Sequence, residues 1–237
     1  MRTFVNQQLY PGEFLLHQKY APTEMLLDLV WTHCNIAADI ALLLLDKHEF
    51  DKSELQREFV IQAALLSDIG VYACSGYEWI PGQPANDKPY IQHGVIGAWI
   101  LEQEGYSPAV IQVAHAHTGV GLTTEDIKLY GLQLPEADYV PRTQLQKLIA
   151  YSLKFHSKAP KFKTVEDIIQ TLQKYGKGKV DKFKEWQAEF GNPDLSEIQT
   201  KYAGWHQSFN FQMQQLIQSA TQANISPQLN SAGIIAK

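Results

Sequence analysis

Apolar residues recur at helical spacing from Glu24 to His48, and Thr23 is placed to cap the free N–H groups of that first turn. A second helix is predicted from the capping box Ser53-Glu54-Leu55-Gln56 to Gly70. Between Val71 and Tyr90 the periodicity stops, and Gly76, Pro81, Gly82, Pro84 and Pro89 alternate with Tyr77, Trp79 and Tyr90. A loop of that length inside a compact domain is usually functional or disordered, and its aromatic content favours function. Helical spacing resumes from about Ile91 to Glu104, stopped by Gly105, and again from Ser107-Pro108 to His117 before Gly119. After a loop containing Leu132 to Pro141, the capping box Thr143-Gln144-Leu145-Gln146 opens a helix through Phe155. Three more follow, over Val165–Tyr175, Val180–Phe190 and Leu195 to about Ile217, with Trp186, Phe190, Trp205 and Phe209 as packing residues. No strand pattern or repeat stands out, so the expected fold class is all-α.

Composition narrows the function classes. The 237 residues suffice for a real core, and 45% are hydrophobic, which is ordinary for a globular protein. A net charge of -5 argues against a nucleic-acid footprint, which needs clustered basic residues. No uninterrupted apolar run approaches the roughly 20 residues that span a bilayer, and Met1 to Tyr10 lacks a signal peptide's apolar segment. Cys34 and Cys74 are too few and too far apart for a disulfide framework or a thiolate zinc site. The expectation is a cytoplasmic protein with no nucleic-acid or membrane partner.

Metal-type side chains stand in apolar surroundings at four places: His33, Asp68, His93 and the pair His115 and His117. Asp68 is the informative one, because a carboxylate ending an apolar run must cap, pair or bind a cation. Imidazole and carboxylate suit divalent manganese, iron, cobalt, nickel or zinc. Such an ion polarises a phosphoryl oxygen and lowers the pKa of bound water. Spacing alone is weak, since a lone helical histidine is more often packed or solvated than a ligand.

The words around these residues are more specific. Ala64-Leu65-Leu66-Ser67-Asp68-Ile69-Gly70, His93-Gly94-Val95-Ile96-Gly97-Ala98, His117-Thr118-Gly119-Val120-Gly121 and Ala150-Tyr151-Ser152-Leu153-Lys154-Phe155 follow one another in that order. From about Leu26 to Lys158 the chain thereby resembles the HD phosphohydrolase superfamily, in the branch with the pattern Ala-Leu-Leu-His-Asp-Ile-Gly. The resemblance implies His33 as the first ligand, Asp68 as the central carboxylate, and His93 and His117 as ligands of a second site. Two departures fall on the first site: Ser67 replaces the family's histidine, and Leu153 replaces its closing aspartate. The implied outcome is one surviving site for a single divalent transition metal ion, with or without His33, or no tight site at all.

His115 and His117 are about 200° apart on a regular helix, so only one can face a given point; the resemblance selects His117, and His115 is expected to pack or face solvent. His17, His48, His156 and His206 lack matching context and are read as non-ligands. Lys88, Tyr90, Arg142 and Lys154 are candidates for substrate binding, and Tyr77, Trp79 and Tyr90 could stack on a base or sugar. The expected organisation is an N-terminal arm (1–21), an HD-type helical core (22–158), a helical extension packed on it (159–217) and a polar tail (218–237). The activity that the resemblance implies is metal-dependent hydrolysis of a small phosphorylated metabolite of nucleotide type. The alternative is a degenerate, non-catalytic HD protein that binds a ligand or partner.

Overall fold

The computed structural model describes residues 4–47 and 55–222. Among them the chain is helical apart from loops and two two-residue strands. The helices are α1 (Pro11–Tyr20), α2 (Glu24–Lys47), α3 (Arg57–Leu66), α4 (His93–Gln103), α5 (Pro108–Ala116), α6 (Thr124–Tyr130) and α7 (Gln144–Ser152). After β1 (His156–Ser157) and β2 (Lys161–Phe162) come α8 (Val165–Gln173), α9 (Lys177–Phe190) and α10 (Ser196–Gln222). The all-α expectation holds.

Helix α2 forms the centre. It is apolar on nearly all sides, and Leu26, Leu29, Val30, Trp31, Ile36 and Ile40 are fully enclosed. Thr23 caps it through its hydroxyl, which accepts from the Leu26 amide at 3.2 Å. Among the described residues, α2 alone is long and apolar enough to cross a membrane, and its apolar stretch is 83% buried within the protein. Helices α3 and α7 pack along it, α5 lies against α3 and α7, and α4 lies against α5. Helix α10 returns across α2, where Lys201 and the Tyr202 hydroxyl reach Asp39 at 2.7 and 2.8 Å. The Trp205 indole also donates to Asp28 at 3.1 Å.

The sequence expectation differs from the structure in several places. The helix expected to end at Gly70 stops at Leu66 and continues as a 3-10 turn, Ile69–Ala73, with Asp68 at its head. Ser107 makes no side-chain cap bond, so α5 starts on Pro108 alone. Ser53 and His48 lie outside the described residues, as does the tail from 223. Helix α1 escaped notice because its apolar residues form no single stripe: Phe14 and Leu16 are buried, whereas Leu15 faces solvent. Helix α6 is only two turns long, fixed by a Thr123–Asp126 capping box and a left-handed Gly131. The two strands follow from the turn that reverses the chain between Ser157 and Lys161.

Two glycines bring α4 onto the 3-10 turn and onto α5. A Cβ on Gly70 would stand 2.0 Å from the His93 carbonyl oxygen and 2.4 Å from the Gly97 amide nitrogen. A Cβ on Gly94 would stand 2.9 Å from the Ala114 carbonyl oxygen on α5. Only bare backbone permits these approaches, and they carry His93 to the same point as Asp68 and His117.

Candidate metal centre

Three helices converge on Asp68, which is fully enclosed. Its Oδ1 lies 3.6 Å from His93 Nε2, at the first residue of α4, and 3.3 Å from His117 Nε2, just past the end of α5. Its Oδ2 lies 3.2 Å from His33 Nε2, in the middle of α2. The structure therefore brings His33, Asp68, His93 and His117 together.

The proton positions on the Oδ1 side follow from the backbone. His93 Nδ1 is 2.7 Å from the Tyr90 carbonyl, and His117 Nδ1 is 2.7 Å from the Ala114 carbonyl. A carbonyl can only accept, so each Nδ1 carries a proton, and a neutral ring then presents the lone pair of its Nε2. These two Nε2 atoms are 2.9 Å apart. Asp68 Oδ1, buried between them, has no hydrogen-bond partner. With both rings neutral, three acceptor atoms face one another with no donor among them, all within 4.8 Å. Acceptors repel at such separations, and a buried carboxylate oxygen without a partner is costly. A divalent cation resolves both, and the N/N/O donor set suits a catalytic ion that retains open positions. The carbonyl bonds at both Nδ1 atoms are the outer contacts that orient metal-binding imidazoles. Burial lowers the His93 pKa to about 3, so that ring stays neutral and ready to ligate.

The Oδ2 side is built differently. Lys158, with its side chain 8% exposed, places its ammonium 2.7 Å from Oδ2. Burial alone would raise the Asp68 pKa; the Lys158 charge beside it outweighs that and holds the carboxyl well below its ordinary range. Ser67 is enclosed and turns away, its hydroxyl donating to the Ala64 carbonyl at 2.8 Å. Leu153 lines the cavity with its apolar side chain.

Behind His33 runs a chain of imidazoles that the sequence did not reveal. His206 Nδ1 donates to the Tyr202 carbonyl at 3.0 Å, so its Nε2 accepts from His156 Nε2 at 3.0 Å. His156 Nδ1 is then an acceptor, and His33 Nδ1 donates to it at 2.8 Å. The lone pair of His33 is thereby fixed on Nε2, toward Asp68. Burial, then the Lys158 charge, lowers the His33 pKa to about 4, and burial with His33 and His206 beside it holds His156 well below the ordinary range. His156 and His206 are outside the Asp68–His93–His117 cluster, as expected, yet they orient its neighbour. The chain leaves helix α7 before His156, and His206 lies fifty residues further on, so no local spacing marks either.

Among the substrate-binding candidates, Tyr90 and Lys154 line the cavity around Asp68, together with Lys158 and Lys163. Burial, then repulsion from Lys163 and Lys158, lowers the Lys154 pKa to about 7. Lys88 and Arg142 are exposed and outside the cavity lining, and Arg142 extends toward Asp138 at 3.7 Å. Tyr77 packs against Tyr90 with ring centroids 6.2 Å apart, and Trp79 packs on the core. His115 is half-buried against the Tyr139 ring and stands outside the cluster. His17 is a core residue, bonded at both nitrogens to Tyr72 and the Leu65 carbonyl.

No protein-family model matches the chain. Over 125 residues it is 29% identical to a tRNA (cytidine(56)-2'-O)-methyltransferase of Picrophilus torridus, covering 53% of this chain and 30% of that protein. It is 26% identical over 178 residues to the enzyme of the same name from Thermoplasma volcanium, covering 71% of this chain and 46% of that protein. The chain therefore spans less than half the length of both methyltransferases. Among solved structures, the HD domain of the L. monocytogenes phosphodiesterase PgpH superposes with a TM-score of 0.44 at 16% identity, covering 90% of this chain and 99% of that one. The same domain in complex with cyclic-di-AMP gives 0.43 at 17% identity, covering 94% and 99%. A further relative, an uncharacterised protein of Methanocaldococcus jannaschii, is 30% identical over 144 residues, which cover 60% of this chain and 74% of that protein; the chain belongs to the family of this archaeal protein.

Proposed function

We propose that this chain is a metal-dependent phosphohydrolase of HD type, acting on a small phosphorylated metabolite of nucleotide class. One observation carries the reading: Asp68 Oδ1, buried and without a hydrogen-bond partner, converges with His93 Nε2 and His117 Nε2 on one point. A divalent transition ion held there supplies Lewis acidity toward a phosphoryl oxygen and acidifies water. The chain's own groups do the rest. Asp68, His93 and His117 hold the ion, and the Nδ1 bonds to Tyr90 and Ala114 keep both imidazoles aimed. Lys154 and Lys163, with Lys158 deeper in the cavity, bring positive charge to a phosphate's oxygens. Tyr90 forms one wall of the cavity. The tRNA methylation in two relatives' names is no part of this proposal, because the match spans a minor share of those proteins.

The test uses protein supplied with manganese and a generic phosphodiester, bis(p-nitrophenyl) phosphate. Asp68→Ala is expected to abolish hydrolysis, while His115→Ala, outside the cluster, retains most of it. Equal loss in both variants contradicts the assignment.

A second reading, a degenerate HD protein that binds rather than hydrolyses, is favoured by Ser67, Leu153 and the ammonium held against Asp68 Oδ2. Wild-type protein that binds phosphorylated nucleotides with no turnover of any of them under manganese, iron, cobalt, nickel or zinc would establish it.

A further inference from the structure

The two oxygens of Asp68 have opposite surroundings. Oδ1 lies between two imidazole nitrogens and has no hydrogen-bond partner, whereas Oδ2 faces the lone pair of His33 and is already neutralised by Lys158 at 2.7 Å. The Oδ2 side is also where the sequence carries a serine and a leucine in place of two ligating residues. Ser67 has withdrawn to its own helix and Leu153 contributes only apolar surface, so an ion on that side would keep His33 and Oδ2 as ligands. We propose that Lys158 is the second cation of this centre: its ammonium occupies the Oδ2 side in place of a metal ion.

This inference rests on reading the Oδ1 side as a metal site. The chemistry of the exchange is direct. A bridging carboxylate between two cations needs positive charge on both oxygens, and an ammonium is a compact, three-donor charge that satisfies one of them. Lys158 is enclosed, with Tyr90 beside it: its ammonium lies 5.8 Å from that ring's centroid. It is a fixed part of the fold, not a mobile surface group. The centre would thus need only one ion from solution, while retaining two cations along Asp68. Lys158 acts here as a positioning and charge-compensating residue.

Equilibrium dialysis against manganese followed by elemental analysis decides the matter. Wild-type chain is expected to hold one ion. Ser67→His with Leu153→Asp, which restores the two absent ligand types, is expected to hold still one, because the ammonium keeps the place. Adding Lys158→Met to that pair is expected to give two. Two ions in the double variant, with Lys158 intact, would overturn the proposal, as would a folded triple variant that holds one. Should the restored ligands prevent folding, Lys158→Met alone serves: losing the nearby positive charge should tighten manganese binding at least about tenfold. Unchanged or weaker binding overturns the inference. Wild-type chain that holds no ion is a different failure, that of the metal-site reading itself.

Discussion

His17 and His33 are both enclosed imidazoles, and burial lowers both pKa values to about 4, but their partners differ. His17 donates to the Leu65 carbonyl and accepts from Tyr72, so it serves the core; His33 keeps a lone pair toward Asp68. The pH dependence that follows for His17 has a definite sign. The unfolded imidazole titrates near 6.5 and the folded one near 4, so between these values the unfolded state binds the extra proton. Its contribution is complete above pH 6.5 and is lost as pH falls toward 4, by about 3 kcal/mol in all. Asp68 adds little to that slope, being ionised in both states across most of the window. Denaturant unfolding from pH 7.5 to 4.5 should show stability falling on the acid side. His17→Gln, which can keep both polar partners, should flatten that decline by close to one proton. An unchanged slope would mean that His17 is protonated in the fold.

At the level of elements, the centre depends on how closely helix α4 meets the 3-10 turn. Gly70 has no room for a methyl group, because the His93 carbonyl and the Gly97 amide occupy the space. Gly70→Ala must push α4 away, and overpacking against backbone is expected to cost about 3 kcal/mol. The same displacement would separate His93 from Asp68, so metal affinity should fall together with stability. Thermal unfolding with and without manganese checks both; a Gly70→Ala protein with wild-type stability and affinity would refute this packing. Periodicity and the Thr143 capping box made most of these helices legible in the sequence, whereas α1 and α6 escaped it. Helix α1 has no apolar stripe, and α6 is short and held by local caps. Gly70 was legible only as a helix end, and what the glycines at 70, 94 and 97 approach is a tertiary fact.

For the molecule as a whole, the four residues singled out by ordered sequence words meet at one carboxylate, although they span 85 positions from His33 to His117. The words carried that much because each holds a metal-type side chain within a characteristic apolar neighbourhood. They did not carry Lys158, His156 or His206. Lys158 is set by where the chain leaves the 3-10 turn Leu153–Phe155, and His206 by how α10 docks on α2 through Asp39 and Asp28. Lys88 and Arg142 were drawn in by charge and nearness in sequence, and both ended on the surface.

The most direct test of the central claim is to locate the ion. Crystals grown with manganese, measured for anomalous scattering, should show a single peak per chain at this centre. It should lie about 2.1 Å from Asp68 Oδ1, His93 Nε2 and His117 Nε2, the distance expected for such ligands. The Oδ2 side should show Lys158 and no peak. A peak between His33 and Asp68 Oδ2, or none beside His93 and His117 at saturating manganese, would contradict the account.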